Sequence, residues 1–316
     1  MIDINVTYRP KLEDTFERLF QKKTTLSKAR PLPSIVVNNI KESLSIEWNY
    51  NSNSIEGNTL TLRETQMVLQ DGVTVKGKSL REYFEISNHE TALNYLYKLV
   101  DKQENISSKN ILGVHGYVLR SIEDEYAGRI RNASVRIAGA NFIPPNSLKV
   151  PDLLDELVDF VNSNPLDLNV IELATVFHHQ FVHIHPFFDG NGRTVRLIMN
   201  LLLLRAGFTP AIILKNDRKK YFDALNSANN GNYFKLMLLM AQAVERTLNI
   251  YLSAIPNSNY GYEVISNLVK EEQLPYGQDY ISLLARQGKI DAYKEGRNWF
   301  TSKKAVEDYF NKKRKK

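Results

Sequence analysis

Apolar residues recur three or four positions apart along most of the chain as far as about Pro256. Clear examples lie at 153–161, 173–177 and 234–239, where the apolar stripe would bury one face of a helix against its neighbours. Short polar connections separate these stripes. The pattern therefore predicts a mainly α-helical architecture for the chain up to residue 255.

Residues 134–145 break this helical period. β-Branched residues alternate in the segment, Gly139 permits a tight turn, and two prolines end the run. We predict a short β-hairpin here, with Ile137 and Phe142 on either side of the turn.

A second unit begins after the proline-containing polar stretch 255–259, which is typical of a linker. Its pattern predicts two helices, a hairpin and a last helix capped by Ser302, at 262–271, 278–287, 290–300 and 302–310. This order is typical of a winged helix, and residues 281–309 resemble excisionase-like and MerR-like helix-turn-helix sequences. We divide the chain into an N-terminal helical region (1–100), a helical core (101–255) and a winged-helix-like domain (256–316).

Composition sets the outer limits of this picture. The chain has 316 residues, 43% of them hydrophobic, and no cysteine, which excludes disulfides and thiolate metal sites. We find no secretion signal and no apolar run long enough to span a bilayer, so we expect a cytoplasmic protein without membrane contact. The net charge is +6, and five basic residues form the tail 312–316, which is typical of a solvated chain end.

The densest group of reactive side chains lies in residues 185–196, His-Pro-Phe-Phe-Asp-Gly-Asn-Gly-Arg-Thr-Val-Arg. We expect one helix to end near His183 and the next to begin at Asn191. Gly190 and Gly192 lack a Cβ, so the backbone between the helices can turn with positive φ and point successive N–H groups at one anion. Because a helix N-terminus adds its own donors, the sequence predicts a phosphate site at this turn.

Four side chains around the turn supply complementary chemistry. Arg193 and Arg196 are three positions apart, so they share a helix face and can hold two phosphates. Asp189 is a hard oxygen ligand suited to Mg²⁺. His185 is largely neutral at cellular pH if its pKa is near the ordinary value of about 6.5, so it can take the proton of an attacking hydroxyl. Phosphate-centred transfer chemistry is the resulting hypothesis.

The same stretch matches the pattern His-x-Phe-x-Asp/Glu-Gly-Asn-Gly-Arg-x-x-Arg at every specified position. It resembles the signature of the Fic family, whose members typically transfer AMP from ATP to a hydroxyl side chain of a target protein. The resemblance implies that His185 is the general base and that Asp189 is the magnesium ligand. It further implies an anion hole formed by Gly190, Asn191 and Gly192. Arg193 and Arg196 would then hold the β- and γ-phosphates.

The resemblance extends over about residues 35–250. Gly128–Arg131 and the predicted hairpin are similar to the family's flap, which pins the target segment by strand addition and would include Ile137, Gly139 and Phe142. Residues 79–89 resemble a helix that precedes the core, and 221–225 resemble the segment that lines the adenine pocket, led by Tyr221. The implied fold is a Fic-type helical core with ATP as substrate, Mg²⁺ as cofactor and a target protein with a Ser, Thr or Tyr hydroxyl. Self-modification and a homodimer stay open.

An upstream segment, 52–58, matches the family's inhibitory pattern Ser/Thr-x-x-x-Glu-Gly/Asn through Ser52, Glu56 and Gly57. A carboxylate paired with Arg196 would remove the partner that the γ-phosphate needs and would repel that phosphate. We therefore expect the resting enzyme to be restrained by Glu56.

Three other interpretations remain open at this stage. His179 and His183 are one helical turn apart and could share a metal ion with His178 nearby, although such histidines more often satisfy a helix end. The C-terminal domain could make the protein a DNA-binding regulator, with Arg286, Lys289, Lys294 and Arg297 on phosphates. The active loop could also use another donor or remove AMP, although Asp189 and the arginine pair favour ATP.

Overall fold

The computed structural model describes residues 4, 6–137, 139–140, 142–255, 261–271, 274 and 276–314. As predicted, the chain before residue 255 is mainly helical. Its helices are α1 (Arg9–Lys28), α2 (Ser34–Ile55), α3 (Leu62–Asp71), α4 (Leu80–Lys102), α5 (Ser108–Leu119), α6 (Val150–Ser163), α7 (Val170–Ile184), α8 (Asn191–Arg205), α9 (Arg218–Asn229) and α10 (Phe234–Ser253).

Helix boundaries follow local side-chain chemistry. Thr61, Ser79 and Asn169 each cap the helix that follows, and a Glu three residues later closes the capping box at α3, α4 and α7. Such a box satisfies backbone N–H groups that would otherwise lack a partner. These caps fix where α4 and α7 begin, and both helices pack against α8.

One main hydrophobic cluster joins the N-terminal region to the rest of the helical part. It runs from Leu12 and Leu19 on α1, through Leu93 on α4, to Leu197 on α8 and Leu248 on α10. Helix α4 also crosses the residue-100 boundary drawn from the sequence. Because α8 is buried along most of its length, its first turn is held rigidly by the helices around it.

The segment 134–145 turns where expected but forms no strand in the residues described, which leave out Ala138 and Asn141. Gly139 has φ of 78°, and the Ala140 N–H donates to the Ile137 carbonyl at 3.2 Å. Alternating β-branched residues favour an extended chain, but a ladder also needs paired backbone groups. The predicted hairpin is therefore a segment with a turn, and strand pairing is not found in its described part.

The C-terminal unit contains β1 (Glu263–Val264), α11 (Ile265–Glu271), α12 (Gln278–Arg286), β2 (Ala292–Glu295), β3 (Asn298–Thr301) and α13 (Lys303–Arg314). Strand β3 lies between β1 and β2 and pairs antiparallel with both. The predicted hairpin is present, and Ser302 Oγ accepts from the Ala305 N–H at 3.2 Å, as expected of an N-cap. The predicted first helix starts later, at Ile265, because residues 263–264 pair with β3.

A separate hydrophobic cluster holds this unit together, and it includes Ile265, Ile281 and Ile290. The predicted linker lies outside the described residues except for Ile255. Helix α13 continues to Arg314 instead of ending near Phe310, since Lys and Arg are good helix formers and suit the negative end of the helix dipole. Residues 315–316 of the basic tail lie outside the described part.

Polar contacts join the C-terminal unit to α1 and α10. The buried Lys22 ammonium donates to Glu245 Oε1 at 2.8 Å and to Asn249 Oδ1 at 2.7 Å, and also contacts Asp291. Arg246 on α10 donates to the Lys294 carbonyl at 2.9 Å and to Glu47 on α2 at 2.7 Å. In the described residues, no helix is both long and apolar enough to cross a membrane.

Candidate active site

The loop between α7 and α8 is locked by its own residues. His185 ends α7 in the left-handed region with φ of 51°, and its N–H donates to the Phe181 carbonyl at 2.9 Å. Asn191 accepts from the Phe187 N–H at 3.0 Å and donates to the Phe187 carbonyl at 2.9 Å. The side chain of Asn191, expected in the anion hole, is therefore turned into the loop, and its backbone N–H is the group left for a ligand.

Helix α8 begins without a side-chain cap. Its N-cap residue is Gly190, in the left-handed conformation with φ of 72°. Thr61, Ser79 and Asn169 fill the corresponding place at α3, α4 and α7 with a side-chain oxygen. The N-cap residue thus leaves the first-turn N–H groups of α8 without a side-chain partner, so they can bind an anion at the positive end of the helix dipole.

The carboxylate of Glu56 lies over this helix start. A Cβ added to Gly192 would stand 2.1 Å from Glu56 Oε1 and 2.9 Å from Arg196 Nη1. Glu56 Oε1 is itself 2.8 Å from Arg196 Nη2, and the two side chains are 33% and 3% exposed. Glu56 therefore covers the groups that an anionic ligand would use.

Ser52 holds Arg196 as well. Arg196 Nε donates to Ser52 Oγ at 3.1 Å, and Nη2 donates to the Ser52 carbonyl at 2.7 Å. Burial opposes the charge on Arg196, but Glu56 outweighs it and raises the pKa of the guanidinium. Gly57, with φ of 110°, then turns the chain away from the end of α2.

Asp189 and Arg193 form a second pair at the turn. Arg193 Nη2 lies 3.3 Å from Asp189 Oδ1, and the Gly190 N–H donates to the same oxygen at 2.5 Å. Asp189 Oδ2 accepts from Arg81 on α4 at 2.6 Å. Although burial favours the neutral acid, Arg193, the Gly190 N–H and Arg81 hold the pKa of Asp189 below its ordinary value, so the carboxylate is ionised.

His185 has the protonation state that a general base needs. Burial lowers its pKa to about 4, and Arg131 contributes in the same direction. The charges of Glu56 and Asp189 act on the imidazole in the opposite direction, which places it within electrostatic reach of both carboxylates. His185 is therefore neutral at pH 7 and can accept a proton.

Arg131 is a positioning residue to which the sequence pattern assigned no role of its own. Its side chain is 1% exposed, and it donates to the carbonyls of His185 and Ala133 at 2.8 Å and of Pro145 at 2.6 Å. One guanidinium thus ties both ends of the segment 134–145 to the residue proposed as the base. A buried arginine gives no local signal, because its partners are backbone carbonyls distant in sequence.

His115 on α5 is a second residue that sequence reasoning missed. Its Nδ1 accepts from the Gly128 N–H at 3.0 Å, so Nε2 carries the proton that it donates to the Asp189 carbonyl at 3.0 Å. The ring stacks on Phe187 with centroids 3.5 Å apart. His115 therefore holds the active loop in place against α5. A Cβ on Gly190 would lie only 3.3 Å from the His115 ring.

Tyr221 does not line the cavity beside the flap segment, and its role in binding the nucleotide stays a prediction. It is 2% exposed, and its hydroxyl lies 3.0 Å from His178 Nε2. A cavity of about 330 Å³ lies between the flap segment and α9, and Phe222 and Asn226 contribute to its lining. The helical phase explains the difference, because neighbouring residues on α9 face different directions.

The flap residues also contribute to this cavity. Ile137, Gly139 and Phe142 all line it, and the Phe142 ring stacks on His183 with centroids 4.6 Å apart. The predicted flap segment therefore lies beside the C-terminal end of α7, next to the active loop.

Hydrogen bonds occupy two of the histidines that suggested a metal site, His178 and His179, and the third, His183, stacks on Phe142. His179 Nε2 pairs with Asn229 at 2.8 Å, and its Nδ1 pairs with Tyr233 at 2.7 Å. In the described part of the chain, no group of three or more His, Cys, Asp or Glu side chains could hold a metal ion. The geometry therefore favours a packing role for these histidines.

The basic residues proposed for DNA contact differ in their surroundings. Arg286, Lys289 and Arg297 are exposed, whereas Lys294 donates to Asp217 at 2.6 Å. The hairpin tip also faces the helical core, because Asn216 Nδ2 donates to the Gly296 carbonyl at 3.3 Å. The hairpin is thus engaged by the protein itself.

Comparison with known proteins agrees with this geometry. The family model described as the Fic/DOC family matches residues 105–203. The solved structure of Fic-1 (residues 134–508) from C. elegans is 31% identical, has a TM-score of 0.70, and covers 78% of this chain and 74% of that one. The helical fold and the sequence of the active loop at residues 185–196 together define the class of protein. The chain belongs to the Fic/DOC family.

Curated relatives carry a more specific name. "Protein adenylyltransferase Fic" from Aedes aegypti is 34% identical over 87% of this chain and 54% of its own length, and the protein of that name from Nematostella vectensis is 38% identical over 68% and 50%. The chain thus spans about half the length of the curated relatives it matches. A Fic family protein from Desulfovibrio desulfuricans shares the fold over 95% of this chain and 97% of its own, with a TM-score of 0.63 and 21% identity.

Proposed function

We propose that the protein is a protein adenylyltransferase that transfers AMP from ATP to a hydroxyl side chain of a target protein. The observation that carries the proposal is the uncapped N-terminus of α8, which lies between the neutral base His185 and the two buried arginines Arg193 and Arg196. The name shared by relatives that are 34–38% identical supports the same activity.

The residues at the turn account for each part of the transfer. His185 takes the proton as the hydroxyl oxygen of the target attacks the α-phosphorus of ATP. A P–O bond to the target forms as the bond to the leaving pyrophosphate breaks, so the products are adenylylated protein and pyrophosphate. The N–H groups of α8 and the two arginines stabilise the phosphate charge, and this positioning supplies most of the catalysis.

Asp189 is the residue that would hold Mg²⁺. Its carboxylate is ionised and its side chain is 37% exposed, which suits a cation bound through one carboxylate and the phosphates of a nucleotide. Bound there, Mg²⁺ would neutralise part of the phosphate charge. Asp189 itself is kept in place by the Gly190 N–H and by the His115 contact to its carbonyl.

Glu56 restrains this activity in our proposal. Its carboxylate pairs with Arg196 and stands over Gly192, so the γ-phosphate of ATP must displace it. Ser52 keeps Arg196 in this arrangement through two hydrogen bonds. In this proposal, the pairing of Glu56 with Arg196 represents the restrained state.

The flap segment is the proposed docking site for the target. The segment turns at Gly139 and has both ends fixed by Arg131, an arrangement that suits strand addition by a peptide next to the active loop. A homodimer and a DNA contact through the C-terminal unit stay predictions from the sequence.

The decisive experiment follows the fate of labelled ATP. The purified Glu56→Gly variant should incorporate label from the α-phosphate and none from the γ-phosphate, and in cell extract it should add α-phosphate label above that of the extract alone. Adding His185→Ala to that variant should slow incorporation by a factor of about 10²–10⁴ without changing the melting temperature.

Transfer of γ-phosphate label by the purified chain, or an unchanged rate in the double variant, would overturn the proposal. Mass analysis of the protein itself reports self-modification. Release of AMP from an adenylylated product by the wild-type chain would favour the alternative activity, removal of AMP by hydrolysis.

A further inference from the structure

Four charged side chains beside the active loop form a closed ring of alternating charge. Arg81 and Glu85 lie one turn apart on α4, while Asp189 and Arg193 lie four positions apart across the start of α8. On one side of the ring, Asp189 Oδ1 is 3.3 Å from Arg193 Nη2, and Asp189 Oδ2 is 2.6 Å from Arg81 Nη2. On the other side, Glu85 Oε1 is 3.6 Å from Arg81 Nε and 3.2 Å from Arg193 Nη1. Each charge thus has two opposite neighbours.

The two halves of the ring differ in burial. The side chains of Arg193 and Glu85 are 2% and 12% exposed, and those of Asp189 and Arg81 are 37% and 49% exposed. Breaking a buried pair leaves an uncompensated charge, whereas an exposed pair separates at small cost. The contact between Arg81 and Asp189 is therefore the one that opens most easily.

Neighbouring groups hold each half in a different way. Glu85 Oε2 accepts from Asn58 Nδ2 at 2.9 Å, which keeps Glu85 against the buried Arg193. Arg81 also contacts Glu123 Oε1 at 3.1 Å, on the outer side of the ring. When Arg81 leaves Asp189, it still has a carboxylate partner, so the opened state is not strongly penalised.

Arg81 donates to Asp189 Oδ2, while the other carboxylate oxygen, Oδ1, accepts from the Gly190 N–H. A divalent cation on Asp189 Oδ2 would stand beside this guanidinium, and the two positive charges would repel each other. We infer that Arg81 is a positioning residue which holds the carboxylate of Asp189 in the absence of nucleotide and competes with the divalent cation for it. The inference rests on the proposed function, because the cation is that of the ATP complex.

The competition predicts a tighter metal site when the guanidinium is removed. Arg81→Gln should lower the half-saturating Mn²⁺ concentration by a factor of about three to ten, as expected from losing an exposed ion pair and a nearby positive charge. Arg81→Lys keeps the charge and should stay within about twofold of the parent. Arg63, an exposed arginine on α3 outside the ring, provides the control Arg63→Gln, which should not shift the value.

The test uses the full chain carrying Glu56→Gly, with a non-hydrolysable ATP analogue at fixed concentration and free Mn²⁺ followed by electron paramagnetic resonance. An unchanged or higher Mn²⁺ requirement in Arg81→Gln would overturn the inference. Asp189→Asn distinguishes failure of the inference from failure of the proposed function. If Asp189→Asn abolishes Mn²⁺ binding while Arg81→Gln has no effect, the proposed function stands and the role of Arg81 is refuted. If the Glu56→Gly chain binds neither Mn²⁺ nor the analogue, the proposed function and the inference fail together.

Discussion

Replacing Glu56 by Gln should strengthen the binding of ATP, which carries a γ-phosphate, and leave the binding of ADP nearly unchanged. The carboxylate pairs with the nearly buried Arg196 at 2.8 Å. A hydrogen bond between charged groups contributes about 1.5–3 kcal/mol, and ATP must break it before its γ-phosphate can use Arg196. At about 1.4 kcal/mol per tenfold change, the variant should bind ATP about 10–100 times more tightly than the parent.

Isothermal titration of ATP and ADP at fixed Mg²⁺ measures this effect, in a His185→Ala background that prevents turnover. The gain should be large for ATP and small for ADP, because ADP has no γ-phosphate to compete with Glu56. Glu56→Gly should exceed Glu56→Gln, since glutamine leaves a side chain over Gly192.

Glu47→Gln is the matched control for this titration. Glu47 lies on α2, the helix that ends directly before Glu56, and pairs with the buried Arg246 at 2.7 Å, away from the active loop. It should leave both affinities unchanged. Equal gains for ATP and ADP in Glu56→Gln, or no gain at all, would refute competition between Glu56 and the γ-phosphate.

Three further predictions concern the active loop and its support. Gly192→Ala places a Cβ at the start of α8, 2.1 Å from Glu56 Oε1, where we expect a phosphate of ATP to bind. AMP transfer should therefore be lost even when Glu56→Gly is also present. An active double variant would contradict this prediction. Arg131→Lys removes the fork that holds three carbonyls and should lower the free energy of unfolding by about 2 kcal/mol or more, with faster hydrogen exchange in 133–145; unchanged exchange would argue against the tie. Several buried histidines stay neutral in the folded protein but protonate near the ordinary pKa of about 6.5 in the unfolded chain. The free energy of unfolding should therefore fall as the pH drops from about 6.5 to 4, as measured by urea titration, and a flat profile would contradict this prediction. These histidines are His89, with a pKa of about 3, and His115, His179 and His185, each with a pKa of about 4.

The local pattern of the chain determined where the helices and the active loop lie. The expected boundaries near His183 and Asn191 agree with α7 ending at Ile184 and α8 beginning at Asn191. Such boundaries depend on apolar period, caps and glycines, all of which act between neighbours in sequence. The same locality explains why the turn at Gly139 was predictable although strand pairing was not.

Only the tertiary structure decided which charges meet at the loop. Ser52 and Arg196 are 144 positions apart, and Arg81 and Asp189 are 108 apart, so their contacts depend on how α2 and α4 pack against α8. The sequence motif named Glu56 as a partner for Arg196, but no pattern indicated that Arg81 would sit on the carboxylate of Asp189. Long-range pairing of charges follows from helix packing, which the residues set collectively and which no single segment encodes.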